Sequence, residues 1–90
     1  MVSEVFLKIY GEVHGVGFRY ETRQSAERLD LTGWVRNAPD STVEIRAQGE
    51  KELLEKLIAW VRQSSPGTVE KIEIEWREPQ NLCQSFEIQN

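Results

Sequence analysis

The chain has 90 residues, of which 39% are hydrophobic and 29% are charged, and its formal net charge at pH 7 is -4. These values describe a soluble globular protein of one domain, residues 1–90, and exclude a disordered tail, while the negative balance argues against nonspecific binding to nucleic acid. Because Cys83 is the single cysteine and the sequence has neither a signal-peptide pattern nor a long apolar run, we expect a cytoplasmic protein without a membrane segment.

The first half of the chain predicts a strand, a helix and a hairpin, in that order. Three aliphatic residues occupy every second position of residues 5–10, namely Val5, Leu7 and Ile9. This period of two indicates a first strand that ends near Val13. The period then changes to that of a helix, which we predict over residues 18–30. Two further extended runs, residues 31–37 and 43–48, flank the turn signal APDS and therefore predict a hairpin.

The second half of the chain predicts a helix and two strands. Gly49 ends the third strand, and leucine and isoleucine residues then recur at helical spacing through residues 50–63. The breaker SSPGT stops this helix, and alternation resumes through residues 69–76, with a last apolar pair at Phe86 and Ile88. The order predicts an α+β fold, a ferredoxin-like βαββαβ sandwich in which an antiparallel sheet carries two helices on one face, with a short extra C-terminal strand.

The stretch VHGVGFR, residues 13–19, places two glycines and an arginine at the predicted junction of the first strand and the first helix. Gly15 and Gly17 allow a positive φ, so consecutive backbone N–H groups are able to turn toward one point and form an anion nest. The helix N-terminus adds unpaired N–H groups and a positive dipole end, and the guanidinium of Arg19 is suited to fork onto two phosphate oxygens. On spacing alone a plain tight turn is the competing interpretation, because glycine is the usual residue in tight connections.

Two segments, GEVHGVGFR at residues 11–19 and GWVRNAPDSTVEIRAQGE at residues 33–50, resemble the signature segments of the acylphosphatase family, approximately GxVQGVGFR and GWVRNxxDGxVE. The resemblance extends over essentially the whole chain, including the Phe-x-Ile of residues 86–88. It implies hydrolysis of the carboxyl–phosphate bond of an acyl phosphate to a carboxylate and inorganic phosphate. It also implies that Arg19 clamps the phosphate and that Asn37 positions the attacking water. The loop residues that would bind the phosphate through backbone amides are His14, Gly15, Val16, Gly17 and Phe18.

Two positions depart from the family pattern. His14 stands where the family usually has Gln, and Ser41 stands where it usually has Gly. If His14 contributes its backbone N–H to the loop, the change of side chain matters only modestly, and as a catalytic base it has no carboxylate placed by the sequence to orient it. If position 41 requires a positive φ, Ser41 is strained where Gly would not be, and we expect a small shift of Asn37 and lower turnover.

The chemistry that the resemblance implies needs few functional groups. Cleavage of an acyl phosphate expels a carboxylate, a weak base that leaves without protonation, so positioning and stabilisation of charge on the equatorial oxygens are sufficient. The amide of Asn37 is not basic, so it orients water rather than deprotonating it. No cluster in the sequence has metal-ligand spacing. We expect no metal and no cofactor, a small-molecule acyl phosphate as substrate, phosphate as product inhibitor, and a monomer.

Two other functions fit the predicted fold. Domains that recognise RNA share the βαββαβ order and carry base-stacking aromatic side chains on the third strand, whereas the third strand here, TVEIRAQ, has none. A noncatalytic ferredoxin-like ligand- or RNA-binding module is therefore the second interpretation, and no nucleic-acid partner is expected. The third is a domain of a larger carbamoyl-transfer enzyme. No zinc-finger cysteines follow in the sequence, so we expect a free-standing enzyme.

Overall fold

A computed structural model describes residues 1–89 of the chain. Its strands are β1 (Val2–Glu12), β2 (Thr32–Asn37), β3 (Val43–Glu50), β4 (Thr68–Arg77) and β5 (Phe86–Gln89), and its helices are α1 (Phe18–Arg28) and α2 (Lys51–Gln63). The predicted elements occur in the predicted order, although β3 continues one residue past Gly49 and α2 begins at Lys51. Neither helix within these residues combines the length and the apolar character that crossing a bilayer requires.

The strands form one sheet in the order β4-β1-β3-β2-β5. β1 pairs antiparallel with both β3 and β4, and β2 pairs antiparallel with β3 across the hairpin. The ferredoxin-like order of the first four strands is therefore confirmed. The segment after β4 crosses one end of the sheet, so β5 runs opposite to β4 and pairs parallel with β2, with Val35 opposite Ile88. The complete sheet is mixed for this reason.

The core lies between one face of the sheet and the two helices. β1 contributes its alternate apolar residues, which are fully buried, as the period of two in the sequence predicts. The core cluster draws on both helices and on the strands, and includes Val5, Leu7, Ile9, Phe18, Ala26, Val35, Ile45, Leu54, Leu57 and Phe86. Burial of each large apolar side chain contributes roughly 1.5–3 kcal/mol to stability. Val13 and Phe18 are each 1% exposed, so the core holds both ends of the loop at residues 14–17.

The opposite face of the sheet carries aromatic rings beneath cationic side chains. The guanidinium of Arg36 lies 4.6 Å from the ring centroid of Trp34, and that of Arg77 lies 4.6 Å from the ring centroid of Phe6. Phe6 and Trp34 also meet edge to face, with their centroids 6.2 Å apart. Each cation–ring pair at an exposed site contributes about 0.5–1 kcal/mol. The aromatic surface of this face is therefore covered by cations of the same chain.

Gln48 of β3 fastens the segment between β4 and β5 onto this open face. Its amide group donates hydrogen bonds of 2.7 Å to Oε1 of Glu4 and to the backbone carbonyl of Asn81, and its Oε1 accepts one of 2.8 Å from the N–H of Cys83. Gln48 is 2% exposed and Glu4 is 3% exposed. Nε of Arg46 lies 3.0 Å from the same carboxylate oxygen, so the buried charge of Glu4 has both a hydrogen bond and a counter-ion.

Candidate active site

The loop between β1 and α1, residues 14–17, has the backbone conformation that its glycines predict. Gly15 has φ 73° and Gly17 has φ 79° with ψ 14°, both in the left-handed region. A Cβ atom at either glycine would meet no protein atom within 4 Å, so glycine is needed here for its dihedral angle rather than for space. Loops that combine left-handed and right-handed residues turn successive N–H groups toward a common side, which forms a concave site for an anion.

The start of α1 adds further donors beside the loop. Gly17 is the N-cap residue, and no side chain caps the helix there. The N–H of Glu21 donates to the carbonyl of Gly17 at 3.1 Å, whereas the earlier N–H groups of the first turn have no acceptor within a helix. Arg19 lies in this turn and is half-buried. The positive end of the helix dipole and a guanidinium group therefore lie next to the glycine loop.

A cavity of about 290 Å³ opens beside the loop and the helix start. Residues from three separate segments line it: Val13, Gly15, Gly17, Phe18, Arg19, Tyr20, Asn37 and Ile88. The predicted site residues that the structure brings together on this wall are Gly15, Gly17, Phe18, Arg19 and Asn37. His14 and Val16 belong to the same loop, but they do not line the cavity. The two sequence motifs therefore meet at one place in the fold.

Larger depressions occur elsewhere on the surface, but they lack the features of this site. One of about 550 Å³ is bordered by Met1 and the start of α2, and one of about 610 Å³ is bordered by Arg46 and Arg77. Neither contains a left-handed glycine loop or a buried polar atom without a partner. Across the described part of the chain, no three His, Cys, Asp or Glu side chains come together as a set of metal ligands.

Asn37 lies where β2 enters the hairpin turn. Its backbone pairs with Val43 of β3, and the next residue, Ala38, donates its N–H to the carbonyl of Thr42 at 2.8 Å. Oδ1 of Asn37 is buried and has no hydrogen-bond partner among residues 1–89. A buried polar atom without a partner is rare, because it costs about 1–3 kcal/mol. Asn37 therefore combines a place on the cavity wall with a buried acceptor that no group of residues 1–89 satisfies.

The side chain of His14 points to the hairpin turn instead of the cavity. Its Nε2 lies 2.8 Å from the carbonyl oxygen of Thr42. Because a carbonyl oxygen only accepts, Nε2 carries the proton and donates it in this bond. Thr42 is 2% exposed, so the loop that follows β1 is tied to a fixed point of the turn that follows Asn37. This link was not predicted, since nothing in the local sequence pairs the imidazole with a carbonyl in the hairpin.

The hairpin turn is held by Asp40. Its Oδ1 accepts hydrogen bonds from the hydroxyl of Thr42 at 2.6 Å and from the N–H of Thr42 at 3.2 Å, and its Oδ2 lies 2.8 Å from Nζ of Lys8. The ammonium group of Lys8, followed by the two donors of Thr42, holds the pKa of the Asp40 carboxyl well below its usual range. Ser41 has φ 73°, so the positive φ on which the expected strain depends is present at this position.

Tyr20 and Ile88 also line the cavity, and neither is among the site residues predicted from the sequence. Tyr20 follows Arg19 in the first turn of α1 and is 58% exposed. Its hydroxyl accepts a hydrogen bond of 2.8 Å from Nε2 of Gln24, one turn later in the helix. The spacing of four residues predicts that the side chains of Tyr20 and Gln24 are neighbours on one face of α1. Ile88 reaches the site only because β5 pairs with β2, and that long-range pairing has no local signal.

Comparison with known proteins agrees with this geometry. A sequence model of the acylphosphatase family matches residues 5–88. An acylphosphatase of Thermococcus kodakarensis is 47% identical over 77 residues, which cover 84% of this chain and 85% of that protein. The crystal structure of acylphosphatase from Bacillus subtilis superposes with a TM-score of 0.91 at 32% identity and covers 100% of both chains. Full-length HypF, in its phosphate- and nucleotide-bound form, superposes with a TM-score of 0.93 at 26% identity over 100% of this chain and 12% of that one.

Proposed function

The chain belongs to the acylphosphatase family and is an acylphosphatase enzyme, and we propose that the cavity beside residues 14–18 is where it cleaves its substrate. In this proposal the loop binds the phosphoryl group, Arg19 clamps it, and Asn37 orients the attacking water. One observation carries the proposal: Asn37, whose Oδ1 is a buried acceptor without a partner among residues 1–89, lines the same cavity as Gly15, Gly17 and Arg19.

Binding of the phosphoryl group depends on local positive potential, because the chain as a whole has a net charge of -4. The left-handed glycines and the first turn of α1 supply backbone N–H groups that have no side-chain cap, a combination that favours phosphate at a helix N-terminus. Arg19 adds a planar guanidinium that matches two phosphate oxygens, a geometry that a lysine ammonium does not offer. These groups also stabilise the charge that spreads over the equatorial oxygens in a loose transition state.

Asn37 orients water without removing its proton. One O–H of the water donates to Oδ1 of Asn37, and a lone pair of the water oxygen then faces phosphorus on the side opposite to the leaving group. The new bond joins the water oxygen to phosphorus, and the bond between phosphorus and the carboxyl oxygen breaks. The carboxylate leaves with that electron pair, and the proton of the attacking water passes to an oxygen of the phosphate group.

The proposal includes hydrolysis without a metal ion. The leaving carboxylate is a weak base that needs neither a general acid nor a Lewis acid, and the loop and Arg19 provide the positive charge at the equatorial oxygens. We also propose that orthophosphate inhibits by competing for the loop, since it presents the same oxygens, and that the enzyme acts in the cytoplasm as a monomer. A chelator in the assay tests the metal-free reaction, orthophosphate titration tests the inhibition, and analytical ultracentrifugation tests the monomeric state.

A noncatalytic RNA-binding role is the weaker alternative. An RNA base would stack on the open face of the sheet, but Arg36 already covers Trp34 and Arg77 already covers Phe6. Nε of Arg36 also lies 2.8 Å from Oε1 of Glu44, so displacing this cation would break an ion pair as well as a ring contact. Stacking platforms for RNA present uncovered rings. These contacts favour hydrolysis at the opposite face over recognition of RNA.

The proposed function is tested by a substrate screen with the wild-type chain. Benzoyl, acetyl and carbamoyl phosphates are incubated with enzyme and excess chelator, and released phosphate is measured beside p-nitrophenyl phosphate, an ordinary phosphomonoester. We expect turnover of the acyl phosphates and little of the monoester, whose leaving group is a much stronger base than a carboxylate. Loss of all acyl phosphate turnover in chelator would contradict a metal-free reaction, and equal rates with the monoester would contradict selectivity for acyl phosphates.

A further inference from the structure

The cavity has an apolar side that phosphate chemistry does not use. Tyr20 of α1 and Ile88 of β5 line it together with the polar loop and Arg19. Tyr20 is 58% exposed, whereas Phe18, two residues earlier in the same helix, is 1% exposed. Phe18 anchors α1 in the core, but Tyr20 contributes almost nothing to the core. A large and largely exposed aromatic side chain is therefore part of the cavity lining.

The ring of Tyr20 is held in position on the helix surface. Its hydroxyl accepts a hydrogen bond of 2.8 Å from Nε2 of Gln24, four residues later. This bond joins the far end of the side chain to the next turn of α1, so the ring has fewer accessible rotamers than an unrestrained surface tyrosine. Less conformational entropy is then lost when a ligand contacts the ring, and the interaction is preorganised.

Ile88 lies on the same face of the sheet as Asn37. The parallel register places Ile88 opposite Val35 of β2, and Val35 is fully buried on the face that the helices cover. Asn37 follows Val35 by two residues, so both side chains point to that face. Ile88 is therefore a diagonal neighbour of Asn37, and it adds an apolar surface next to the proposed position of the water.

We propose that Tyr20 and Ile88 form an acyl-binding wall, which gives the enzyme a preference for acyl phosphates with an apolar, ring-sized acyl group. This inference rests on the proposed function. Among residues 1–89, Arg19 is the one charged residue that lines the cavity, and in the proposed function it binds the phosphoryl group. A charged acyl group therefore finds no counter-ion among these residues of the lining. The volume of about 290 Å³ is at the small end for ligand pockets and suits a phosphoryl group with one ring.

The test compares benzoyl phosphate with acetyl phosphate, which share the phosphoryl group and differ in the acyl group. The selectivity ratio is kcat/KM for benzoyl phosphate divided by kcat/KM for acetyl phosphate. We expect Tyr20→Ala to lower this ratio about threefold to tenfold, the range that an aromatic pair contributes. Tyr20→Phe keeps the ring but loses the hydrogen bond from Gln24, and it is expected to keep most of the ratio. Leu82→Ala, which removes an exposed apolar side chain outside the cavity, serves as the matched control and leaves the ratio unchanged.

The inhibition constant of orthophosphate separates a contact with the acyl group from general damage to the loop. Orthophosphate has no acyl group, so Tyr20→Ala is expected to change its inhibition constant by less than about twofold, whereas a disturbed loop would raise it strongly. An unchanged selectivity ratio in both Tyr20→Ala and Ile88→Ala overturns the acyl-binding wall while the proposed function stands. A wild-type chain that releases phosphate from neither substrate overturns the proposed function and the inference with it.

Discussion

Nε2 of His14 donates a hydrogen bond of 2.8 Å to the carbonyl oxygen of Thr42, and this bond joins the glycine loop to the hairpin that carries Asn37. The loop would hold the phosphoryl group and the hairpin would hold the water, so the distance between nucleophile and phosphorus depends on how firmly the two segments are joined. A shift of about 1 Å in such a distance costs up to 10²-fold in rate. A residue that does not line the cavity is therefore relevant to turnover.

We expect His14→Ala to lower kcat/KM for benzoyl phosphate by about tenfold or more, because the loop loses its tie to the hairpin. The carbonyl of Thr42 still accepts from the N–H of Ala38 at 2.8 Å, so the free energy of unfolding falls only by about 0.5–1.5 kcal/mol. His14→Gln supplies another N–H donor and is expected to restore most of the rate. Equal losses in the Ala and Gln variants would show that the hydrogen bond has no positioning role.

Asn37→Ala is expected to reduce kcat by about 10²–10³-fold, since the attacking water loses its acceptor. The same change removes a buried oxygen that has no partner among residues 1–89, so the melting temperature is expected to stay level or to rise. Phosphate release and thermal unfolding measure the two effects on one sample. Asn81→Ala is the control, because the observed hydrogen bonds of Asn81 involve its backbone carbonyl. A large fall in melting temperature together with the loss of kcat would instead indicate damage to the fold.

Arg19→Lys keeps the positive charge but loses the planar fork. We expect kcat/KM for benzoyl phosphate to fall about 10- to 100-fold, which corresponds to the loss of one hydrogen bond to a charged group. The inhibition constant of orthophosphate is expected to rise in parallel, since orthophosphate and benzoyl phosphate would both bind the guanidinium of Arg19. Arg62→Lys, on the exposed surface of α2, provides the control. Wild-type rates in Arg19→Lys would refute a bidentate clamp.

Ser41→Gly is expected to stabilise the chain by up to about 1 kcal/mol. Relief of the left-handed strain at φ 73°, worth about 1–2 kcal/mol, exceeds the extra chain entropy of glycine, about 0.5–1 kcal/mol. Urea unfolding measures the change, and kcat for benzoyl phosphate is expected to rise with it if the strain displaces Asn37. Ser3→Gly, in the extended β1, is expected to destabilise the chain. Destabilisation by both changes would mean that no strain is stored at Ser41.

Asp40 makes part of the stability depend on pH. Its pKa in the folded chain lies below the ordinary value of about 3.9, because Lys8 and Thr42 stabilise the carboxylate. The stabilisation of the folded chain by the Asp40 carboxylate is therefore present above about pH 4, and it is lost as the pH falls through the pKa of the folded state. We expect Asp40→Asn to be less stable than wild type at pH 7, and the difference to shrink in urea titrations below about pH 4.

Asp30→Asn is the control for this pH experiment. Asp30 also has a positive φ, of 57°, which Asn tolerates equally well, and it forms no ion pair within residues 1–89. Its substitution removes the same charge from a residue without an observed ion pair, so a change that both variants share is not assigned to the contacts of Asp40. A difference between Asp40→Asn and wild type that stays constant from pH 7 to pH 3 would contradict the assigned role of the carboxylate.

The sequence was sufficient for the elements of the fold because burial repeats locally along each of them. Alternation at residues 5–10 and helical spacing at residues 50–63 correspond to β1 and α2 in the structure. The left-handed conformation of Gly15 and Gly17 was also predictable, since a short strand-to-helix loop with two glycines has few other conformations. The catalytic roles of Arg19 and Asn37 stay predictions until their variants are measured.

Contacts between distant segments were not predictable from the same patterns. The position of Ile88 on the cavity wall depends on a parallel pairing between β5 and β2. The sequence of a strand four residues long does not identify the strand with which it pairs. The hydrogen bond from His14 to Thr42 depends on the relative placement of a loop and a turn. The sequence motif identified His14 as a residue of the glycine loop, but the side chain of His14 contacts the hairpin turn at Thr42.

The hydrogen bonds of Gln48 also bear on how the protein avoids self-association. β5 borders the sheet next to β2, and the segment that leads to it is fastened by Gln48. Without β5, the N–H and C=O groups of β2 would form an unprotected border that pairs readily with a second copy. The other border, β4, is protected by its own charges, at Glu70, Lys71, Glu73, Glu75 and Arg77. A single buried glutamine thus helps to keep the backbone groups of β2 covered by a strand of the same chain.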